Sequence, residues 1–203
     1  MNSVVRKWSL VVFAVVLLIA VAFVYLGRGT EPTSPAGIPS ALPKNIPALV
    51  AILESGDSAK AILAAQALGE TGSPDAIAPL LSVGTSSSTP PALQAACLGA
   101  LGALNLPLDA APIMAIADST TDATIRAAAL GLLGSLKVTT RESCALYIRH
   151  MDDPDLEVRN KAYAAITAVT GADFHFKSDD TPEKRREVIN KISQVVNYKS
   201  SGN

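Results

Sequence analysis

The chain has 203 residues, a net charge of −1, 49% hydrophobic residues, 17% charged residues and only two cysteines. This excludes a disordered charged chain and a disulfide-stapled mini-domain, and it leaves no global basic field to hold nucleic acid. Alanine is about one residue in six, and aromatics are only 4%. That composition favours closely packed helices.

Residues 8–26 (WSLVVFAVVLLIAVAFVYL) carry no charge. At about 1.5 Å per residue they span roughly 29 Å as a helix, the thickness of a bilayer core. Trp8 and Tyr25 stand near the two ends, where amphipathic aromatics prefer to lie. No small-x-small cleavage signal follows: the chain continues Tyr25-Leu26-Gly27-Arg28. The sequence therefore predicts an uncleaved transmembrane anchor. Arg6 and Lys7 lie in the short tail, residues 1–7. Their bias predicts a cytoplasmic N-terminus, with the body in the periplasm or outside the cell of a bacterium. Residues 27–47 follow, with prolines at 32, 35, 39, 43 and 47. Pro lacks an amide donor and fixes φ, so this stretch reads as a semi-extended linker.

Residues 48–171 contain an internal repeat. Four segments align: AKAILAAQALGETG (59–72), ALQAACLGALGALN (92–105), TIRAAALGLLGSLK (124–137) and EVRNKAYAAITAVT (157–170). Their aligned Gly69, Gly102, Gly134 and Thr167 are 33, 32 and 33 residues apart. Apolar residues recur at helical spacing, as in Ile125, Ala129 and Leu133, or Val158, Ala162 and Ile166. Small residues hold the middle of that face: Ala64, Cys97, Ala129 and Ala162. Asp57, Asp122 and Asp155 precede three of the helices and suit N-cap positions; Pro90 takes that place in the second. A shorter apolar helix precedes each segment, at 48–54, 74–83, 110–117 and 142–151. Residues 84–89 (GTSSST) interrupt the second pair and read as a mobile loop. One helical hairpin every 33 residues predicts a solenoid, because a lone hairpin cannot bury its apolar face.

The column four residues after the capping position holds Ala61, Gln94, Arg126 and Arg159. The Asp122…Arg126 and Asp155…Arg159 pairs and the Ala-Leu-Gly-like endings resemble HEAT repeats, in particular the short bacterial HEAT-like repeats of the phycobilisome-lyase type. The resemblance covers residues 45–171. It implies an all-α fold: a right-handed α-solenoid of about four helix pairs, preceded here by the transmembrane helix. It also implies a structural Asp–Arg ladder between repeats, broken in the first two. Residues 172–203 form a capping loop and helix. Thr181 caps the helix, Pro182 opens it, Val188, Ile192 and Val195/Val196 form its apolar stripe, and Lys184–Glu187 its wet face. The Thr170-Gly171-x-Asp173-Phe174 run before it is similar to the end of bacterial membrane-associated HEAT-like proteins.

No constellation for chemistry emerges, so no catalytic, cofactor-binding or metal-ligating residue is assigned. His150 and His175 lack further ligands at ligand spacing, and His175 reads as packing between Phe174 and Phe176. Cys97 and Cys144 read as separate buried thiols. Asp152, Asp153, Asp155 and Glu157 read as a solvated turn with an N-cap. In HEAT-like repeats the second helix of each pair lines the concave side. Its outward columns here include Ala95, Ala96, Gly99, Ala127, Ala128, Gly131 and Ser135. Gly inside a helix costs roughly 0.5–1 kcal/mol relative to Ala, so Gly99 and Gly131 point to an uncharged groove that admits another backbone. The expectation is a membrane-tethered scaffold binding a protein partner, without cofactor or nucleic acid. The alternatives are a bilin-lyase-like enzyme or chromophore-handling protein, and a structural subunit of an envelope complex.

Overall fold

Nine α-helices make up the described part of the chain. The computed structural model describes Leu42 and residues 45–201, with side chains placed as far as Val196. The expected tail at 1–7, the span at 8–26 and most of the 27–47 linker lie outside the described residues. Among the described residues no helix is long and apolar enough to cross a membrane.

The helices are α1 (Ile46–Leu53), α2 (Ser58–Glu70), α3 (Ile77–Thr85), α4 (Pro91–Leu104), α5 (Ala111–Ser119), α6 (Ala123–Ser135), α7 (Arg141–His150), α8 (Leu156–Thr170) and α9 (Pro182–Ser201). A 3₁₀ turn, Pro74–Ala76, leads into α3. The expected linker gives way to helix sooner than predicted. Asn45 caps α1 through a 2.9 Å bond from the Ala48 amide, and Pro47 sits in the first turn. There the missing Pro N–H would have no intrahelical partner in any case.

The capping logic holds where an aspartate is present. Asp57 accepts from Lys60 N–H, Asp122 from Thr124 and Ile125, and Asp155 from Glu157 and Val158. Thr140 does the same for α7.

The helices form four antiparallel pairs: α1–α2, α3–α4, α5–α6 and α7–α8. The second helices pack extensively in series, α2 on α4 on α6 on α8, whereas the first helices α3, α5 and α7 barely touch. The tighter layer must be the inner, concave side of the stack, and the architecture is an α-solenoid. The expected apolar columns form its core. Ala64, Cys97, Ala129, Ala162, Leu133, Val158 and Ile166 are all fully buried.

Two glycines explain how close the inner layer comes. A Cβ on Gly69 would lie 2.9 Å from the Ala100 Cα and carbonyl oxygen. A Cβ on Gly134 would lie 2.9 Å from the Ala165 Cα and Cβ. Gly102 is looser, with the Ser135 hydroxyl at 3.6 Å.

Three expectations are corrected. Residues 84–89 are not all loop: α3 continues to Thr85, and Gly84 is buried, 3.1 Å from Cys97 Cβ as judged by a Cβ built on it. The following turn is tied by Thr89 N–H to the Ser86 carbonyl and by the Gln94 amide to the same oxygen. His175 does not pack between the phenylalanines. It stands out of the turn at φ 55°, against Asp173, while Phe176 packs on Tyr163 at 5.2 Å between ring centroids. In α9 the expected wet face includes a residue that is not wet, since only 12% of the Arg185 side chain is exposed. Val195, placed in the apolar stripe, is instead exposed. Ile192 is fully buried, and Val188, Ile189 and Val196 pack beside it.

Candidate interaction surface

The inner layer carries two shallow depressions of about 300 Å³ each, side by side. The first lies between α4 and α6, over Gly99, Gly102, Ala128 and Gly131. The second lies between α6 and α8, over Gly134, Ala164 and Ala168. Gly131, Ser135 and Lys161 border both. Gly99 opens to space: nothing lies within 4 Å of a Cβ built there. Gly131 is different, with the Lys161 stem across it at 3.5 Å.

Of the seven residues singled out from the sequence, the structure gathers Gly99, Ala127, Ala128, Gly131 and Ser135 around the first depression. Ala95 and Ala96 are half-buried and do not line it. Ala127 is only 6% exposed, although helical phase placed it outward. The reason is that α6 packs against both α4 and α8, so its buried arc is wider than one stripe. The groove is also not uncharged. Lys161 divides it, held by a 3.2 Å ion pair with Glu157 one turn earlier. Lys161 sat in the outward column of the sequence, but its reach back over Gly131 follows only from the spacing of α6 and α8.

A polar seam runs along the start of the second helices in the C-terminal half. Arg126 donates bidentately to Asp153, Nε to Oδ2 and Nη2 to Oδ1, both at 3.0 Å. Its Nη1 reaches the Thr120 carbonyl at 3.2 Å. Arg159 repeats the theme with backbone acceptors: Asp153 O at 2.7 Å, Pro154 O at 2.9 Å and Ser178 O at 2.7 Å. Arg185 closes the seam on Asp152 Oδ1 at 2.9 Å and on the Asp180 carbonyl at 2.7 Å.

The acidic run is only partly the solvated, capped turn expected: Asp155 caps α8 and Glu157 is exposed, but Asp153 is not solvated. Asp153 is buried and also meets His150 Nδ1 at 3.3 Å. His150 thus has a carboxylate on its own face, contrary to expectation. Both oxygens of that carboxylate are taken by Arg126, and among the described residues no group of three metal-ligating side chains occurs. Burial alone would push the Asp153 carboxyl up. Hydrogen bonds from Arg126, the Asp155 amide and His150 outweigh it and hold the group below its ordinary value. The expected ladder partners are also reassigned. Asp122 and Asp155 cap their own helices, and Arg126 crosses to Asp153 of the next repeat.

Cys97 and Cys144 are free and buried. Burial pushes the Cys97 thiol up to about 12, which makes it a packing residue rather than a thiolate.

Residues 46–134 match the HEAT repeats family. That stretch covers α1 to α6 almost completely. The match supports a HEAT-repeat protein, and the α7–α8 hairpin extends the same stacking beyond it, with Gly134 against Ala165 as Gly69 is against Ala100. HEAT repeats generally serve as non-catalytic scaffolds for protein interaction. No curated protein matches the chain.

Proposed function

We propose that the protein is a membrane-tethered HEAT-repeat scaffold whose inner face binds another protein outside the cytoplasm. The observation that carries the binding surface is Gly99. It stands inside α4 with no internal contact that requires a glycine, at a helical position where glycine lowers stability. Close approach of a partner's backbone gives it a role. The Ala128 floor beside it is open, and a partner segment seated there would displace the Lys161 stem from Gly131. The tether rests on the uncharged run at 8–26, and the orientation on Arg6 and Lys7.

Photocrosslinking from Gln66 or Ala103, replaced by a photoreactive residue in intact membranes, identifies the partner by mass spectrometry. Gly99→Gln together with Gly131→Gln leaves folding intact, since Gln is the better helix former, and abolishes co-purification of that partner. Undiminished co-purification removes the groove from the interface. Carbonate extraction tests the tether separately: recovery of soluble protein beginning near residue 28 refutes it.

A further inference from the structure

One cavity lies away from the inner face. It holds about 520 Å³ between α7, the end of α8 and the last turns of α9, within the range of small-ligand sites. Cys144, only 8% exposed, forms its floor, and Ile148, Val169 and Val196 form its walls. Burial pushes the Cys144 thiol up, so that wall stays uncharged.

The polar groups of the lining are mostly engaged elsewhere. Thr170 Oγ1 donates to the Ile166 carbonyl at 2.7 Å, and Ser193 Oγ to the Ile189 carbonyl at 2.8 Å. Arg149 pairs with Asp118. Arg141 carries the one lining charge that is not so engaged: it is exposed and makes no ion pair among the described residues. It stands at the first position of α7, where the helix dipole already disfavours a cation and attracts an anion. An apolar chamber with one uncommitted guanidinium at a positive helix end fits an apolar chain with one negative head.

We propose that this cavity binds a single-chain amphiphile with a carboxylate head, a medium- or long-chain fatty acid. The chain lies along Ile148, Val169 and Val196 over Cys144, and the carboxylate meets Arg141 as a charge-assisted pair. Such a ligand would bridge α7 and α9 and so couple occupancy to docking of the capping helix.

The test uses the full chain in phosphatidylcholine nanodiscs and a fatty acid bearing a diazirine near its chain end. Crosslinks are expected in peptides holding residues 139–149, 169–170 and 193–196. Competition should strengthen roughly fourfold per added methylene from octanoate to decanoate, and decanol should need about tenfold more than decanoate. Arg141→Gln removes that head-group discrimination. Ala145→Trp, at an exposed wall position, abolishes labelling with the circular dichroism unchanged. Crosslinks confined to residues 8–26 overturn the proposal. So does equal competition by decanoate and decanol in the parent, or parental labelling of folded Ala145→Trp.

Discussion

The first two repeats and the last two share one backbone arrangement but are joined differently. Between α2 and α4 the contact is apolar and steric, set by Gly69 against Ala100, and the column that holds arginine further on carries Ala61 and Gln94. Between α6, α8 and the cap, the same steric contact recurs at Gly134 and Ala165, and the Arg126–Asp153, Arg159 and Arg185–Asp152 seam is added. Shape sets the spacing of the stack throughout. Charge appears where the turns between helices leave carbonyls to be satisfied, at Thr120, Asp153, Pro154, Ser178 and Asp180. A buried, unpaired carbonyl is expensive, so the arginines do for these turns what the Gln94 amide does for Ser86.

The sharpest way to break this contrast is to remove one acid. Asp153→Ala leaves Arg126 buried without its carboxylate, and breaking such a pair by removing one partner costs about 3–5 kcal/mol. Gln94→Ala, the matching lesion in the N-terminal half, removes a neutral bond and costs about 1 kcal/mol. Chemical denaturation followed by far-ultraviolet circular dichroism measures both. Equal losses would show that the seam adds nothing to the steric contact.

The steric contact has its own test, with a change of sign inside it. Gly69→Ala and Gly134→Ala each force a methyl group into a neighbouring helix backbone, which costs about 1–3 kcal/mol. Gly99→Ala meets no atom within 4 Å and should stabilise by up to about 1 kcal/mol through helix propensity. Thermal unfolding of the three variants orders them. A stabilised Gly134→Ala would refute close approach as the reason for that glycine.

Acid should act on the C-terminal half first. The Asp153 carboxyl is held below its ordinary value of 3.8 in the folded protein. Its contribution is therefore fully present above that value and is lost as pH falls through the folded one. Melting temperature followed from pH 7 to pH 3 should drop less steeply in Asp153→Asn than in the parent. Parallel curves would place the acid sensitivity elsewhere.

The stack was legible because its rules are local and repeated. A 33-residue period, Asp caps and small residues at Ala64, Cys97, Ala129 and Ala162 located every helix pair to within about three residues. The seam was half legible. Arg126 and Arg159 stood out, but two acids two residues apart, Asp153 and Asp155, look alike in sequence, and only the next repeat decides which caps and which pairs. The groove suffered similarly: Ala127 is buried and Lys161 covers Gly131 because of inter-repeat spacing, which no single helix encodes. The cavity under α9 was invisible, since its walls come from three helices whose stripes merely look amphipathic.

A transplant of the seam tests the comparison most finely. Position 120 is to repeat three what position 153 is to repeat four. Each side chain accepts from the amide two residues on, Thr120 Oγ1 from Asp122 and Asp153 Oδ1 from Asp155. Each carbonyl accepts from the arginine six residues on. An aspartate at 120 can therefore keep the local bond and still present an oxygen toward α4, as Asp153 presents one toward α6. Gln94→Arg alone buries a cation and frees the Ser86 carbonyl, so it should destabilise. Thr120→Asp alone should be near neutral, because the position is only half-buried. Combined, they should recover about 1 kcal/mol or more relative to the sum of the single changes, the range expected for contacting charged groups. Denaturation of the four proteins in the cycle gives the coupling directly. Zero coupling would mean that the wider 86–90 turn, and not the missing charges, keeps the first two repeats from joining the seam.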